Sequence, residues 1–298
     1  MSARLTTLAA LLLAGCATAA EPTSEPAADD GRAAWAAQCS DDSAWDAPGP
    51  PFHVYGNTWY VGTCGIAALL VTGADGHVLI DGGPATAAPL IAANIRALGF
   101  RLADVKLLFA SHEHHDHAGG LAELQRLTGA RLLSSPAAAP VLATARPDPE
   151  DPQAAISDAF PPVEVHGLVQ DGRPVTLGPL ELTPYFTPGH TAGALSWQWQ
   201  SCEGDVCRTI VYADSLSPVS ADGYRFTDHP AWVAGLRRSI ERLATLDCDI
   251  LLTPHPSASH MKERLTAGTL AGAGQCPAYA SNRTALLNAR LAREAAGT

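Results

Sequence analysis

After residue 50 the chain is built of short apolar runs separated by Gly, Pro and Asp, in two blocks that each pass from strand-like to mixed periods. In the first block, residues 58–61 and 66–71 read as strands, and Asp75-Gly76 is a hairpin turn leading into 78–83. Leu90, Ile91, Ile95 and Leu98 keep helical spacing. They predict a helix from about Thr86, with Thr86 as its N-cap, Pro89 in the first turn and Gly99 ending it. A strand at 106–110, a helix carrying Leu121, Leu124 and Leu127, and a short strand at 131–134 follow. Residues 140–162 hold several prolines and acidic residues without a period, and are expected to form a long surface loop.

The second block offers strands at 174–177, 180–186, 194–200 and 208–214, then a helix over 231–246 with the stripe Trp232, Leu236, Ile240 and Leu243. A short strand at 250–252 and a last helix around Leu286, Leu287 and Leu291 end the pattern. Two such blocks, without a letter-by-letter repeat, predict an α/β protein. Two sheets would pack face to face with helices outside, a four-layer αβ/βα sandwich in a single domain.

Composition changes the picture at the N-terminus. Arg4, an apolar stretch from Leu5 to Leu13 and small residues after it make residues 1–20 a targeting segment. Two processing routes remain open: Leu13-Ala14-Gly15-Cys16 resembles a bacterial lipobox, with Cys16 as lipid anchor, and Ala17-Thr18-Ala19 is an A-x-A cleavage site. Residues 21–50 are expected to be a linker and a loosely ordered arm, and 51–298 the folded domain, a monomer in the periplasm or on the outer membrane. No apolar run beyond residue 20 is long enough to span a bilayer. The net charge of −11 argues against a nucleic-acid or anionic-membrane partner.

Setting Cys16 aside leaves Cys39, Cys64, Cys202, Cys207, Cys248 and Cys276, an even number in an exported chain, which implies disulfides. Cys202 and Cys207 flank a turn between two strand-like runs, and spacing favours sequential pairing, with Cys39–Cys64 and Cys248–Cys276. A thiolate metal site lacks any CxxC pair.

The candidate chemistry lies in Ser111-His112-Glu113-His114-His115-Asp116-His117, between an apolar strand and the helix start expected at Ala118-Gly119-Gly120. His112 and His114, two apart in extended chain, face one way, while Glu113 and His115 should point away. Asp116 and His117 are placed on the following turn, facing a second metal beside the first. His190 in Thr187-Pro188-Gly189-His190-Thr191 and His255 in Thr253-Pro254-His255-Pro256 also stand in turns at strand ends.

Together these motifs resemble the metallo-β-lactamase superfamily over roughly residues 52–290. His112-x-His114-x-Asp116-His117 is its signature, Pro188-Gly189-His190-Thr191 its next motif and Asp81-Gly82-Gly83 its strand-end acidic motif. Within it the chain looks like a zinc β-lactamase of the third subclass, with Ser215 where other subclasses place a ligand cysteine. The resemblance implies two Zn²⁺ per chain, one on His112, His114 and His190, the other on Asp116, His117 and His255. It implies hydrolysis of penicillins, cephalosporins and carbapenems by a metal-bridging hydroxide that Asp116 orients, giving antibiotic resistance. Ser215 and Ser217 would contact a metal water or the substrate carboxylate. Asp81 is either a partner for a ligand imidazole or a carboxylate satisfying local backbone.

Tyr224 and Trp59 are weaker candidates, as oxyanion donor and cleft wall, as are His229 and His260 at the entrance; His53, His77 and His166 are expected on the surface. Thioesterases and lactonases of the same fold are the rival enzymes, since they bridge both metals with an aspartate near Asp214. A non-catalytic zinc-binding lipoprotein is the rival of another class. Whether Asp214 or Ser215 faces the metals decides between the enzymes.

Overall fold

A computed structural model describes residues 31–297; the targeting segment, Cys16 and the start of the linker lie outside it. The first half contains α1 (Arg32–Gln38), β1 (Phe52–Tyr55), β2 (Thr58–Tyr60), β3 (Leu69–Val71), β4 (His77–Ile80), α2 (Ala88–Ala97) and β5 (Val105–Phe109). It continues through α3 (His115–Ala118), α4 (Leu121–Thr128), β6 (Arg131–Ser134), α5 (Ala138–Thr144) and β7 (Val165–Leu168). The second half runs β8 (Val175–Leu177), β9 (Leu180–Phe186), β10 (Leu195–Glu203), β11 (Val206–Tyr212), α6 (Pro230–Ala244), β12 (Ile250–Leu252), α7 (Met261–Thr266) and α8 (Gln275–Ala296).

Strands β1 to β7 form one sheet in sequence order, antiparallel up to β4 and parallel from there. The second sheet has the order β12-β11-β10-β9-β8, with β11 and β12 parallel. Both sheets are covered on both faces, so apolar residues sort by the two-residue period into a core between the sheets and one under each helical layer. Leu69, Val71, Val78, Ile80, Leu107 and Phe109 face the other sheet and meet Leu182, Trp197, Ile210, Tyr212 and Leu252. Their neighbours Leu70, Leu79 and Leu108 face outward onto Ile91, Ile95, Leu121 and Leu142 of the first helical layer. Val211 and Leu251 likewise face Leu236, Ile240, Tyr279 and Leu287 of the second. The four-layer sandwich is therefore observed, and each fully buried large side chain contributes about 1.5–3 kcal/mol to it.

The sheets are joined tightly below the His-rich turn. Phe109 and Trp197 stack with ring centroids 4.1 Å apart, and Trp197 Nε1 donates to the carbonyl of Ala110 at 3.1 Å. The expected disulfides Cys39–Cys64, Cys202–Cys207 and Cys248–Cys276 are formed.

Several expectations are corrected. The arm is not loose over residues 32–50: α1 buries Trp35 to 1% exposure against Phe52 and Tyr60. A run of alanines around one tryptophan carries too little periodicity to show this. Thr86 is not an N-cap; its hydroxyl donates to Asp46 at 3.0 Å, and a single 3₁₀ turn precedes α2. The presumed loop 140–162 begins inside α5 and contains a further 3₁₀ turn at Ala154–Ile156. β7 was not legible because exposed and half-buried residues alternate along it without a large apolar side chain facing in. The last helix begins at Gln275, well before its leucines.

Candidate metal centre

All the motif residues lie where strands of both sheets end. β5 leads into 110–117, β9 into 187–190, β11 into 213–217 and β12 into 253–255. Asp81, just past β4 with φ of +67°, fastens the turn from below: it accepts from Ser111 N at 2.6 Å, Ser111 Oγ at 2.8 Å and Tyr212 Oη at 2.7 Å. Burial lifts its pKa to about 6 against the pull of His117, whose Nδ1 lies 3.7 Å away, too far for a hydrogen bond. Asp81 thus serves the backbone and the opposite sheet rather than a ligand imidazole. Gly120 packs so closely on the same loop that a Cβ there would stand 2.2 Å from the carbonyl oxygen of Gly82. This contact brings α3 down onto the end of β4.

His112 and His114 do face one way, and Asp116 and His117 lie in the single turn of α3. His112, His114 and His190 form one group whose nitrogens lie within 4.8 Å of one another, with ring centroids 4.7–5.0 Å apart. Each imidazole is oriented by its other nitrogen. His112 Nδ1 donates to Asp214 Oδ1 at 2.9 Å, His190 Nδ1 to the carbonyl of Ser217 at 3.0 Å, and His114 Nε2 to Asp151 Oδ2 at 3.0 Å. Nε2 of His112 and His190, and Nδ1 of His114, are thereby left as lone-pair donors toward a common point.

Beside this group, Asp116 Oδ2 lies 3.0 Å from His117 Nε2 and 3.3 Å from His255 Nε2, and the two imidazole nitrogens are 3.2 Å apart. Electrostatics separate the roles. Burial and the neighbouring imidazoles His117 and His114 hold His112 well below its ordinary value. Burial and the same kind of crowding bring His190 down to about 3, so both are neutral at physiological pH. Burial would raise the Asp116 carboxyl, but His117 and His255 more than offset it and keep it ionised. Burial also opposes protonation of His114, yet Asp151 outweighs it and raises the imidazole.

These residues fit metal ions. His112 Nε2 is buried without any hydrogen-bond partner, and the Asp116, His117 and His255 atoms crowd together in a way only a shared cation or proton relieves. Imidazole nitrogens with one carboxylate and no thiolate form a donor set that suits Zn²⁺.

Among the other candidates, Ser215 and Ser217 line the cleft above the histidines, which has a volume of about 450 Å³. Asp214 is fully buried behind His112, with Oδ1 on that imidazole and Oδ2 on Leu216 N at 3.3 Å. So Ser215, not Asp214, faces the cleft. Glu113 does point away: it is buried and accepts from Thr191 Oγ1 at 2.7 Å and Gly193 N at 3.0 Å, tying the His112 turn to the His190 turn. His115, expected to point away, reaches the cleft rim. Tyr224 does not line the cleft; its ring stacks on His229 at 4.4 Å. Trp59 packs on Phe100 at 5.4 Å, away from the cleft. His260 is exposed at the start of α7, His166 is exposed, and His53 and His77 are half-buried outside the cleft.

Sequence reasoning missed Asp151, Gln153, Trp45 and Arg283. Asp151 and Gln153 sit in the aperiodic loop, and only the fold brings them to His114 and His190. Trp45 lies in the supposed arm, with its ring 5.8 Å from His255 and 5.7 Å from His115.

The chain belongs to the metallo-β-lactamase superfamily: the family pattern described as "Metallo-beta-lactamase superfamily" matches residues 61–255. It is similar in structure to the MIM-2 metallo-β-lactamase, with 55% identity and a TM-score of 0.85 over 89% of this chain and 98% of that one. MIM-1 from Novosphingobium pentaromativorans is 53% identical, with a TM-score of 0.82 over 85% of this chain and 94% of that one. SMB-1, bound to 2-mercaptoethanesulfonate, is 44% identical, with a TM-score of 0.81 over 85% and 100%. Among curated proteins it resembles the hydroxyacylglutathione hydrolase of Rhodopseudomonas palustris (strain BisB5), 32% identical over 130 residues. That match spans 44% of this chain and only 40% of the relative's length.

Proposed function

We propose that this hydrolase is a zinc-dependent β-lactamase of the three-histidine and Asp-His-His type, acting on penicillins, cephalosporins and carbapenems. The observation that carries the reading is the His112, His114 and His190 group with Asp116, His117 and His255 crowded beside it, His114, His190, Asp116 and His255 lining the cleft. His112, His114 and His190 would hold one zinc, and Asp116, His117 and His255 the other. Three protein ligands per ion leave positions for water and substrate, the catalytic rather than the structural arrangement. Zinc bound there would supply an acidified water as nucleophile and a Lewis acid for the lactam carbonyl.

The chain's own groups do the rest. Asp214, Asp151 and the Ser217 carbonyl hold the imidazoles of His112, His114 and His190 in the tautomers that present a lone pair inward. Asp116, ionised at neutral pH, orients the attacking water with its carboxylate. Ser215 and Ser217 offer hydroxyls to the substrate carboxylate. Trp45, Ile156 and Val219 are large hydrophobics 46%, 53% and 48% exposed, yet all line this cleft, so they form an apolar rim for the variable side chains of the antibiotic.

The curated relatives raise a second reading, thioester hydrolysis. An aspartate bridging both metals would have to come from Asp214, whose carboxylate is turned behind His112 and already occupied. The lactamase reading is therefore preferred. Export through residues 1–20, a periplasmic location with or without a lipid anchor at Cys16, a monomeric state and a role in antibiotic resistance complete the proposal.

The test is hydrolysis of a penicillin, a cephalosporin and a carbapenem by purified protein lacking residues 1–20. Turnover should vanish with a chelator and return with zinc. Folded, zinc-loaded protein that leaves every lactam intact but cleaves an acyl-glutathione thioester would reverse the preference.

A further inference from the structure

Arg283, on α8, is the one arginine or lysine among the described residues that lines the cleft. It is 8% exposed, and no carboxylate among the described residues forms an ion pair with it. Its partners are neutral: Nη2 donates to the Ala258 carbonyl at 3.3 Å and to Asn282 Oδ1 at 2.9 Å, and the guanidinium lies 4.5 Å over the Tyr279 ring. Nε is shielded from solvent and has no acceptor. Removing a cation from water without a counter-charge is unfavourable, so such a group persists where an anion arrives to complete it.

The same face of α8 builds the adjoining wall. Tyr279, one helical turn before Arg283, donates its hydroxyl to the carbonyls of Asp214 at 3.1 Å and Ser215 at 2.8 Å. Ser215 is thus fixed by the helix that carries the arginine, and its own Oγ is buried without a partner. A guanidinium with neutral partners only and a hydroxyl without a partner therefore share one cleft with the candidate ligands His114, His190 and His255.

We propose that Arg283 is the anion anchor of this cleft. With Ser215 it receives the carboxylate that these lactams carry beside the scissile nitrogen, and it makes the enzyme selective for anionic over uncharged lactams. A planar guanidinium matches a carboxylate better than a point charge does. The inference rests on the lactamase reading. As a residue that touches the substrate away from the reacting bond, Arg283 acts mainly on KM.

The experiment compares a penicillin with its methyl ester as substrates of zinc-loaded wild type, R283Q and R283K. Wild type should show a KM for the acid about 10- to 100-fold below that for the ester, the range expected for a hydrogen bond to a charged group. R283Q should raise KM for the acid by a similar factor, with kcat little changed and the ester unaffected. R283K should recover part of the preference, which a purely structural role would not produce. Equal KM for acid and ester in wild type overturns the proposal even if R283Q fails to fold, as does an unchanged preference in folded R283Q. If wild type cleaves neither compound, the lactamase reading fails and takes the proposal with it.

Discussion

At the scale of single residues, the site depends on acceptors that never touch a metal. Asp214 fixes His112 and Asp151 fixes His114, each through one hydrogen bond to the nitrogen that faces away from the site. Replacing Asp214 with Asn keeps an acceptor of the same size but removes its charge, and it frees the amide to present its donor side instead. D214N is expected to fold and to bind zinc about 10- to 100-fold more weakly. Competition with a chromophoric chelator would measure this, and unchanged affinity would show that the hydrogen bond does not tune the ligand. The histidines and Asp116 were legible from their spacing and turn context, and both serines only through the family resemblance. Asp151 was not, because an isolated acidic residue in an aperiodic loop carries no sign of which side chain it will meet.

Among the elements, α8 holds several segments of the site at once. Besides Tyr279 and Arg283, it carries Glu294, which accepts from Phe226 N at 3.0 Å and Thr227 N at 2.8 Å and so pins the loop after Ser217. These backbone donors and Arg290 outweigh burial and hold its carboxyl at about 2, below its ordinary 4.5. A depressed carboxyl stabilises the fold above its unfolded value and loses that contribution as pH falls through the folded one. E294Q should therefore be less stable than wild type at neutral pH, by about 2 kcal/mol. The difference should shrink as pH falls from about 4.5 to about 2. Denaturant titrations across that range check this, and a gap independent of pH would place the effect in packing instead. Most element types could be read from apolar period. Elements that were not read, among them α1, α5 and β7, lack a strong stripe, so tertiary contacts rather than local pattern decide them.

For the whole molecule, the site is a junction: both sheets end there, and no half of the chain contains all six candidate ligands. Binding energy at the site is therefore shared by the sandwich as a whole. The crowding of Asp116, His117 and His255 implies that emptying the site weakens the fold. Stripping metal with a chelator should lower the thermal midpoint by about 5–10 °C at ligand concentrations near a hundred times Kd, and zinc should restore it. An identical midpoint with and without chelator, at confirmed metal loading, would mean that binding does not couple to global stability.

Short apolar runs marked most strands of the two sheets by themselves, because a strand buried on both faces is apolar at nearly every position, and helices show their stripe every three to four residues. The dense His-Asp turn and the two later turn histidines likewise announced a metal site, since so many ligating side chains are rare outside one. Only the tertiary structure decided that Asp214 turns inward while Ser215 faces the cleft, that Asp151 meets His114, and that Arg283 comes to the cleft without a counter-charge. Each of these pairs residues from distant parts of the chain, or turns on a rotation of one residue at a strand end. Local periodicity holds no information about either, because the packing of the two sheets and α8 sets them.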